Sequence, residues 1–288
     1  QSIKLGEVKC VISGGQENMS LAPHSIFFRD NKKISEEQLV DTMISDGLID
    51  AFNNYHMGVT AENVAKKFNI SRDEQDDFAL NSQKKTEAAI GINRFDEELI
   101  KINQNGYIID KDEHPRKGIL KSDLQKLKTV FLNNGTVTPG NSSGINDGAA
   151  ALLLTTVEEA KKKSIDPLAK IISWASVGVD PALMGLGPIG AVREATKKAK
   201  WNINDIDLFE INEAFAAQSI AVIRELKIDK NKVNVNGGAI ALGHPIGASG
   251  ARILVTLIHE MKKQKKSKGC ATLCIGGGMG IALCIERI

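Results

Sequence analysis

Three residues in turn-forming sequence could carry chemistry: Asn212, His244 and Cys274. Cys274 stands just before the glycines 276–278, where the backbone can approach a ligand closely and amide groups can stabilise an oxyanion. His244 lies between a glycine and a proline, which lets its imidazole project into a crevice. Taken singly, Asn212 reads as a helix cap and His244 as a surface histidine. The three together favour a catalytic site.

Each of these residues follows a predicted strand. Asn212 comes after 206–210, His244 after 233–236, and Cys274 ends the strand 271–275. Strand-end turns converge on one edge of a parallel sheet, which is where α/β folds place ligands. The sequence therefore predicts that an amide, an imidazole and a thiol meet at one pocket mouth.

The glycine-rich segment 233–250 invites a nucleotide-binding interpretation that its spacing does not support. It contains no GxGxxG, its loop is too long, and no acidic residue follows to hold a ribose. No GK[ST] sequence is present, so a Walker phosphate loop fails as well. Nicotinamide and nucleoside triphosphate sites are therefore not expected here.

Composition excludes several broad classes. The 288 residues carry a net charge of +2, without the field that nucleic-acid binders need. The longest apolar run near the end, 253–258, is too short to cross a bilayer. Four cysteines without a CxxC pair argue against zinc and against a disulfide scaffold. We expect no metal, no cofactor, no membrane contact, and reduced thiols in a cytoplasm.

Alternation of strand and helix patterns dominates the second half of the chain. The strands predicted there are 149–155, 170–177, 206–210, 233–236, 271–275 and 280–286. One helix is predicted to begin near Val157. Three further helices are predicted over 188–200, 214–226 and 248–263. Because the last two strands form a hairpin, we expect an α/β fold whose mixed sheet is covered by helices.

The first part of the chain is less regular. Residues 8–13 predict a buried strand that ends in a tight turn at Gly14 and Gly15. Helices are predicted over 38–52, 60–68 and 71–90, the last with Ser71 as N-cap and Glu74 completing a capping box. Residues 91–128 are charged and irregular. We interpret residues 20–125 as a subdomain inserted over the main body.

Several motifs in sequence order resemble the thiolase family. They are Asn212-Glu213-Ala214-Phe215, Gly243-His244-Pro245 and Cys274 with glycines 276–278, together with segments 14–20, 55–63 and 140–148. Essentially the whole chain takes part in the resemblance. It implies a thiolase-like fold with mixed five-stranded-type sheets and an inserted loop domain at 20–125. Residues 1–19 and 126–165 would belong to an incomplete amino-terminal half, and 166–288 to the carboxyl-terminal half.

The resemblance also implies roles for the candidate residues. Cys274 would be the acid/base that moves an α-proton, a role that suits a thiol of adjustable pKa. His244 would help ionise a nucleophilic cysteine and donate a hydrogen bond to the thioester oxygen. Asn212 would orient a water at that first oxyanion site, and the amide of Gly276 would serve the second.

By the same resemblance, the substrates are coenzyme A thioesters. Arg116 would face the nucleotide phosphates, and the pantetheine arm would contact Ser143. The other substrate-binding residues implied are Leu48, His56, Met57, Phe131, Met184, Ala214 and Phe215. His56-Met57 resembles short-chain members, which implies acetyl-CoA, acetoacetyl-CoA and coenzyme A, and places the protein in fatty acid metabolism. Family members form homodimers or homotetramers, so a homo-oligomer is expected.

The family's nucleophilic cysteine has no match in this sequence. It sits in a CGSG-like turn at the start of a helix, and Gln1 to Leu5 resembles the end of that helix. Cys10 lies in the following apolar strand and cannot replace it. We expect this chain to lack the amino-terminal part of a thiolase that condenses two acetyl-CoA reversibly. The alternative is a shortened, inactive protein that binds acyl-CoA or serves as a scaffold. A ketoacyl synthase is disfavoured, because that family uses two histidines and has no thiol at the position of Cys274.

Overall fold

A computed structural model describes residues 1–26 and 39–288. The first part of the chain forms, in order, β1 (Cys10–Glu17), β2 (His24–Ser25), β3 (Val40–Asp41), α1 (Thr42–Gly47), β4 (Ile49–Asp50), β5 (Tyr55–His56), α2 (Met57–Phe68), α3 (Arg72–Gly91), β6 (Ile102–Gln104), β7 (Tyr107–Ile109) and α4 (Lys121–Gln125). The second part forms β8 (Gly148–Thr155), α5 (Val157–Lys162), β9 (Ala169–Gly178), α6 (Gly187–Ala199), β10 (Leu208–Ile211), α7 (Ala216–Leu226), α8 (Ala239–Leu242), α9 (Ile246–Gln264), β11 (Lys268–Ile275) and β12 (Met279–Arg287).

The central feature is a mixed four-stranded sheet with the strand order β10, β11, β12, β9. Strands β10 and β11 are parallel, and the other two pairings are antiparallel. Side chains of β10 alternate between the two faces: Phe209 packs with α6 and α7, whereas Leu208 packs with α9. Burial on both faces explains why the residues of β10 are mostly apolar. The predicted mixed sheet with helices on its faces is confirmed.

A fifth sheet position exists but is reduced to a single bridge. The predicted strand 233–236 does not form; Val233 makes only an isolated parallel bridge to Phe209. The side chain of Asn234 takes the place of the strand, since its amide accepts from Ile211 N (2.8 Å) and donates to Ile211 O (2.8 Å). Asn234 has φ of 43°, a left-handed conformation that Asn tolerates and that ends an extended segment.

Strand β1 pairs with β8 in an antiparallel two-stranded sheet. The predicted turn at Gly14 and Gly15 is wrong, because the strand continues to Glu17. These glycines serve close approach instead: a Cβ on Gly15 would lie 1.9 Å from the carbonyl oxygen of Gly247 in α9. The predicted burial of β1 is also wrong, since Ile12 is 78% exposed. Among the described residues, α9 covers only one face of this pair.

The helix predicted over 38–52 is shorter than expected. Gln38 lies outside the described residues, and α1 spans only six residues, capped by Asp41, which accepts from Met43 N (2.9 Å). Residues 49–56 then form a small hairpin, whose turn is held by Asp50 accepting from Asn53 N (3.1 Å). Polar side chains that bond nearby backbone groups thus replace the end of the helix.

Helices α2 and α3 form as predicted, and the capping box of Ser71 and Glu74 is confirmed. They attach the region 42–125 to the body by packing on α7 and α8. Polar contacts reinforce the junction, since Ser82 donates to Glu213 (2.7 Å) and Lys85 donates to Val233 O (2.9 Å). The irregular stretch 91–128 contains the β6–β7 hairpin and α4, and the domain boundaries inferred from sequence stay predictions.

Two properties of the described ranges bear on function. In residues 1–26 and 39–288, no helix is both long enough and apolar enough to cross a membrane. Within the same ranges, no group of three or more His, Cys, Asp or Glu side chains is arranged to hold a metal ion.

Candidate active site

Asn212 and His244 meet at the carboxyl end of β10. The backbone N–H of Asn212 donates to Thr272 O (3.0 Å), which fixes Asn212 beside β11. Its side-chain Nδ2 lies 3.3 Å from His244 Nε2. His244 does not follow a strand as predicted; it follows the short helix α8, because 233–236 forms no strand. The predicted contact between amide and imidazole nevertheless forms, since the loop returns to the same sheet edge.

The backbone and ring of His244 are held from two further directions. Its N–H donates to Asn146 Oδ1 (3.0 Å), and its Nδ1 lies 2.6 Å from Ser249 Oγ. Gly243 precedes it with φ of 100°, and a Cβ there would lie 2.5 Å from Asn146 Cγ. Burial, and secondarily the positive charge of Arg252, lowers the pKa of His244 to about 4. The imidazole is therefore neutral at physiological pH.

Cys274 lies at the end of β11 against an apolar cluster. Members of this cluster are Ala61, Val137, Met184, Ala214 and Phe215, with Met57, Phe131 and Cys274 packed against it. Burial raises the pKa of the Cys274 thiol to about 12, so it holds its proton at neutral pH. Five residues that the sequence analysis assigned to substrate binding thus surround the predicted acid/base.

Aromatic contacts organise one wall of this cluster. The rings of His56 and Phe131 stack with centroids 4.6 Å apart, and Phe131 meets Phe215 edge to face at 6.2 Å. His56 also caps α2, since its Nδ1 accepts from Gly58 N (3.0 Å). Its Nε2 is consequently the nitrogen that carries the proton in the neutral ring.

Ser143, Leu48 and Gly276 are also candidates, and each is in contact with a residue of this cluster. The N–H and the hydroxyl of Ser143 both donate to Ala214 O, at 3.0 and 3.1 Å. Leu48 O accepts from Met57 N (2.8 Å). The side chain of Met57 covers Gly276, because a Cβ on that glycine would lie 2.4 Å from Met57 Cε. Only glycine lets the thioether approach the turn after Cys274 this closely.

Arg116 lies apart from this group. It lines a cavity of about 360 Å³ between α3 and the loop 112–117, together with Gln83, Glu87 and Lys117. Gln83 Oε1 fixes the loop by accepting from Arg116 N (3.0 Å). Asp112 also lines this cavity, so two basic and two acidic side chains face it, in contrast to the apolar cluster around Cys274. Such a division suits a ligand with a charged end and an apolar reactive end.

Glu213, Asn146 and Ser249 support the site, and sequence reasoning did not assign them roles in it. Glu213 is buried and accepts from Ser82, Asn234 Nδ2 (2.8 Å) and Ile240 N (3.2 Å). It holds the segment that leads to His244. Ser249 lies five residues after His244, in the first turn of α9, which is the one local signal that could have indicated the contact. Asn146 lies about a hundred positions away and gave no such signal.

Comparisons with known proteins agree with this arrangement. Residues 1–158 match the family model described as "Thiolase, N-terminal domain", and residues 165–287 match "Thiolase, C-terminal domain". The acetyl-CoA acetyltransferase of Rhizobium meliloti is 54% identical over 292 residues, which cover 100% of this chain and 74% of that protein. The cytosolic acetyl-CoA acetyltransferase of Mus musculus is 51% identical over 293 residues, with the same coverage.

Solved structures show the same fold. The crystal structure of the Bacillus anthracis acetyl-CoA acetyltransferase superposes with a TM-score of 0.95 at 44% identity, covering 100% of this chain and 74% of that one. Human mitochondrial 3-ketoacyl-CoA thiolase, solved in complex with CoA, gives 0.96 at 41% identity, covering 100% and 73%. The fold and the site define an acyltransferase of thiolase type. The chain belongs to the thiolase family.

Proposed function

We propose that this protein takes part in the reversible condensation of two acetyl-CoA to acetoacetyl-CoA and coenzyme A. The observation that carries the proposal is the placement of a protonated thiol, Cys274, in an apolar cluster at the same sheet edge as the Asn212–His244 pair. Moving a proton at an α-carbon and stabilising a thioester oxyanion require these two kinds of group side by side.

Cys274 supplies the proton transfer in this proposal. A thiol with a pKa of about 12 is protonated at rest, so in the cleavage direction it can give its proton to the α-carbon of the departing acetyl-CoA. In the condensation direction the thiol first gives its proton to the departing CoA thiolate, and the Cys274 thiolate that remains then accepts the α-proton of the second acetyl-CoA. The enolate that forms in either direction needs a donor for its oxygen, and we assign the amide of Gly276 to it.

His244 and Asn212 serve the acyl transfer. A neutral imidazole can take the proton of a nucleophilic cysteine and then donate that proton towards the thioester oxygen. Asn212 Oδ1 is buried and accepts no hydrogen bond from the described residues. It can therefore accept one from an ordered water.

In this proposal a coenzyme A thioester binds with its charged end at the cavity beside Arg116 and its acyl end at the apolar cluster around Cys274. We assign the phosphates to Arg116, the pantetheine arm to Ser143, and the acyl end to the wall of Leu48, His56, Met57, Phe131, Met184, Ala214 and Phe215. The solved relative that holds CoA supports this class of ligand. No cofactor besides the substrates is needed for this chemistry.

Two variants and one control test the catalytic assignment. The assay is thiolysis of acetoacetyl-CoA by the full-length protein. Cys274→Ala and His244→Ala should each lower turnover by about 100- to 10,000-fold, the usual worth of a positioned proton-transfer group. Cys10→Ala, which removes an exposed thiol, should leave turnover unchanged. Full activity in either of the first two variants would remove that residue from the mechanism.

The alternative of an inactive acyl-CoA-binding or scaffold protein makes a different prediction. It requires that CoA binds, by calorimetry, while the purified protein shows no turnover. Mass spectrometry of the intact polypeptide decides which chain is being assayed. The names of the relatives favour the enzyme.

Assembly and location are proposed from the family. We propose a homodimer or homotetramer, which light scattering after size-exclusion chromatography will distinguish from a monomer. We propose a cytoplasmic location, because the mouse and rat relatives are named cytosolic. Fractionation of the source cells tests it.

A further inference from the structure

We propose that Ser249 is a positioning residue that fixes the tautomer of His244, with the proton on Nδ1 and the lone pair on Nε2. The effect of this tautomer on acyl transfer rests on the proposed function, but the tautomer itself can be measured independently. It assigns a role to a helix residue that touches no substrate.

The first step is to follow the proton of the Ser249 hydroxyl. Ser249 Oγ lies 2.9 Å from the carbonyl oxygen of Pro245, the preceding turn of α9, and donates to it. A hydroxyl has only one proton, so Ser249 Oγ can only accept from its other neighbour. That neighbour is His244 Nδ1 at 2.6 Å, which must therefore carry a hydrogen. Ser249 is 1% exposed, so no bulk water competes for this contact.

The second step concerns the other ring nitrogen. In a neutral imidazole, a protonated Nδ1 leaves Nε2 as an acceptor. Asn212 Nδ2, a donor, lies 3.3 Å from it, which matches that tautomer. The opposite tautomer would require the Ser249 hydroxyl to turn away from Pro245 O and the Asn212 amide to exchange its oxygen and nitrogen. Both ends of the ring thus favour the same proton position.

The consequence lies in the acyl transfer. To ionise a nucleophilic cysteine, His244 must present a lone pair; the S–H bond then breaks, and its proton forms an N–H bond at Nε2. The same new N–H can afterwards donate to the thioester oxygen. If Nε2 already held the proton at rest, the base would point to Ser249, away from the reacting atoms. Ser249 therefore decides which nitrogen is available.

The test compares Ser249→Ala with Ser249→Thr and with Thr196→Ala. Thr196 is a matched control, since it is a buried hydroxyl in α6 that donates to the carbonyl of the preceding turn (Val192 O, 2.8 Å) and has no described contact with His244. Nitrogen NMR of protein labelled in its histidines reports which ring nitrogen of His244 carries the proton; His244→Ala assigns the signal. Turnover is measured across pH in parallel.

We expect Nδ1–H in the wild type and in Thr196→Ala, and a loss of this single tautomer in Ser249→Ala. Turnover of Ser249→Ala should fall about 10- to 100-fold at little change in KM, and Ser249→Thr should restore the tautomer. Nε2–H in the wild type, or an unchanged tautomer in a folded Ser249→Ala, would overturn the inference. NMR detects the tautomer of His244 without any turnover. A wild type that carries Nδ1–H but is inactive would therefore contradict the proposed function and leave this inference intact.

Discussion

Replacing Glu213 by glutamine is predicted to destabilise the protein strongly, although the two side chains have the same shape. All three contacts of the carboxylate are donors: Asn234 Nδ2 bonds Oε1, and Ser82 Oγ and Ile240 N bond Oε2. A glutamine amide places an NH₂ against at least one of them, whichever way it turns. At best one hydrogen bond is lost and two buried donors face each other.

The magnitude follows from that count. One lost bond to a buried charge, with a donor left unpaired, costs about 3 kcal/mol. For a chain of this size, that lowers Tm by roughly 6–12 °C. Burial raises the pKa of Glu213, and the hydrogen bonds from Asn234, Ser82 and Ile240 oppose that shift. Loss of this anchor should also loosen the loop that carries His244.

Calorimetry or thermal melting monitored by circular dichroism measures the effect. The control is Glu225→Gln, an exposed residue on the following helix α7, which should change stability by less than about 0.5 kcal/mol. If the Tm of Glu213→Gln equals that of Glu225→Gln, the carboxyl group is not held as a charged acceptor and the reasoning is refuted. A double variant with Ser82→Ala would then be expected to show no coupling.

Three further predictions concern the turn, the aromatic wall and pH. Gly243→Ala should lower the free energy of unfolding by about 2–4 kcal/mol, because φ is 100° and the new Cβ meets Asn146; chemical denaturation measures this. Phe131→Ala should cost about 2 kcal/mol and raise KM for acetoacetyl-CoA, and an unchanged KM would exclude Phe131 from the channel. Burial raises the pKa of Glu210 to about 8, so the folded state keeps a proton that the unfolded chain loses; stability should fall as pH rises from about 4.5 to 8, and Glu210→Gln should flatten that slope in melts across pH.

Much of the fold could be predicted from the sequence because the information is local. Helix α3 is an example: Ser71 and Glu74 lie within one turn, and their reciprocal bonds form wherever the helix packs. Apolar runs at 170–177 and 271–275 predict strands in the same way, and both strands form. The placement of Cys274 and Asn212 at one edge of the sheet follows from their positions at the ends of two parallel strands.

Contacts between distant segments decided the rest. The sequence of Gly14 and Gly15 favours a turn, but the small size of Gly15 is needed for close packing on α9, more than two hundred residues later, and Gly14 lies against Ala150 of β8. The segment 233–236 has strand-forming residues, yet the Asn234 side chain bonds Ile211 and replaces the strand. Periodicity records which residues are apolar, whereas these outcomes depend on which backbone groups meet in space.

The same distinction applies to the active site. The residue types and spacing of Asn212, His244 and Cys274 favoured a catalytic site, and the resemblance to the thiolase family implied the kind of chemistry. Only the tertiary structure shows that Ser249 Oγ contacts the imidazole and that Asn146 holds the backbone of His244. A side chain's proton position depends on the partners that surround it, and those partners come together only when the chain has folded.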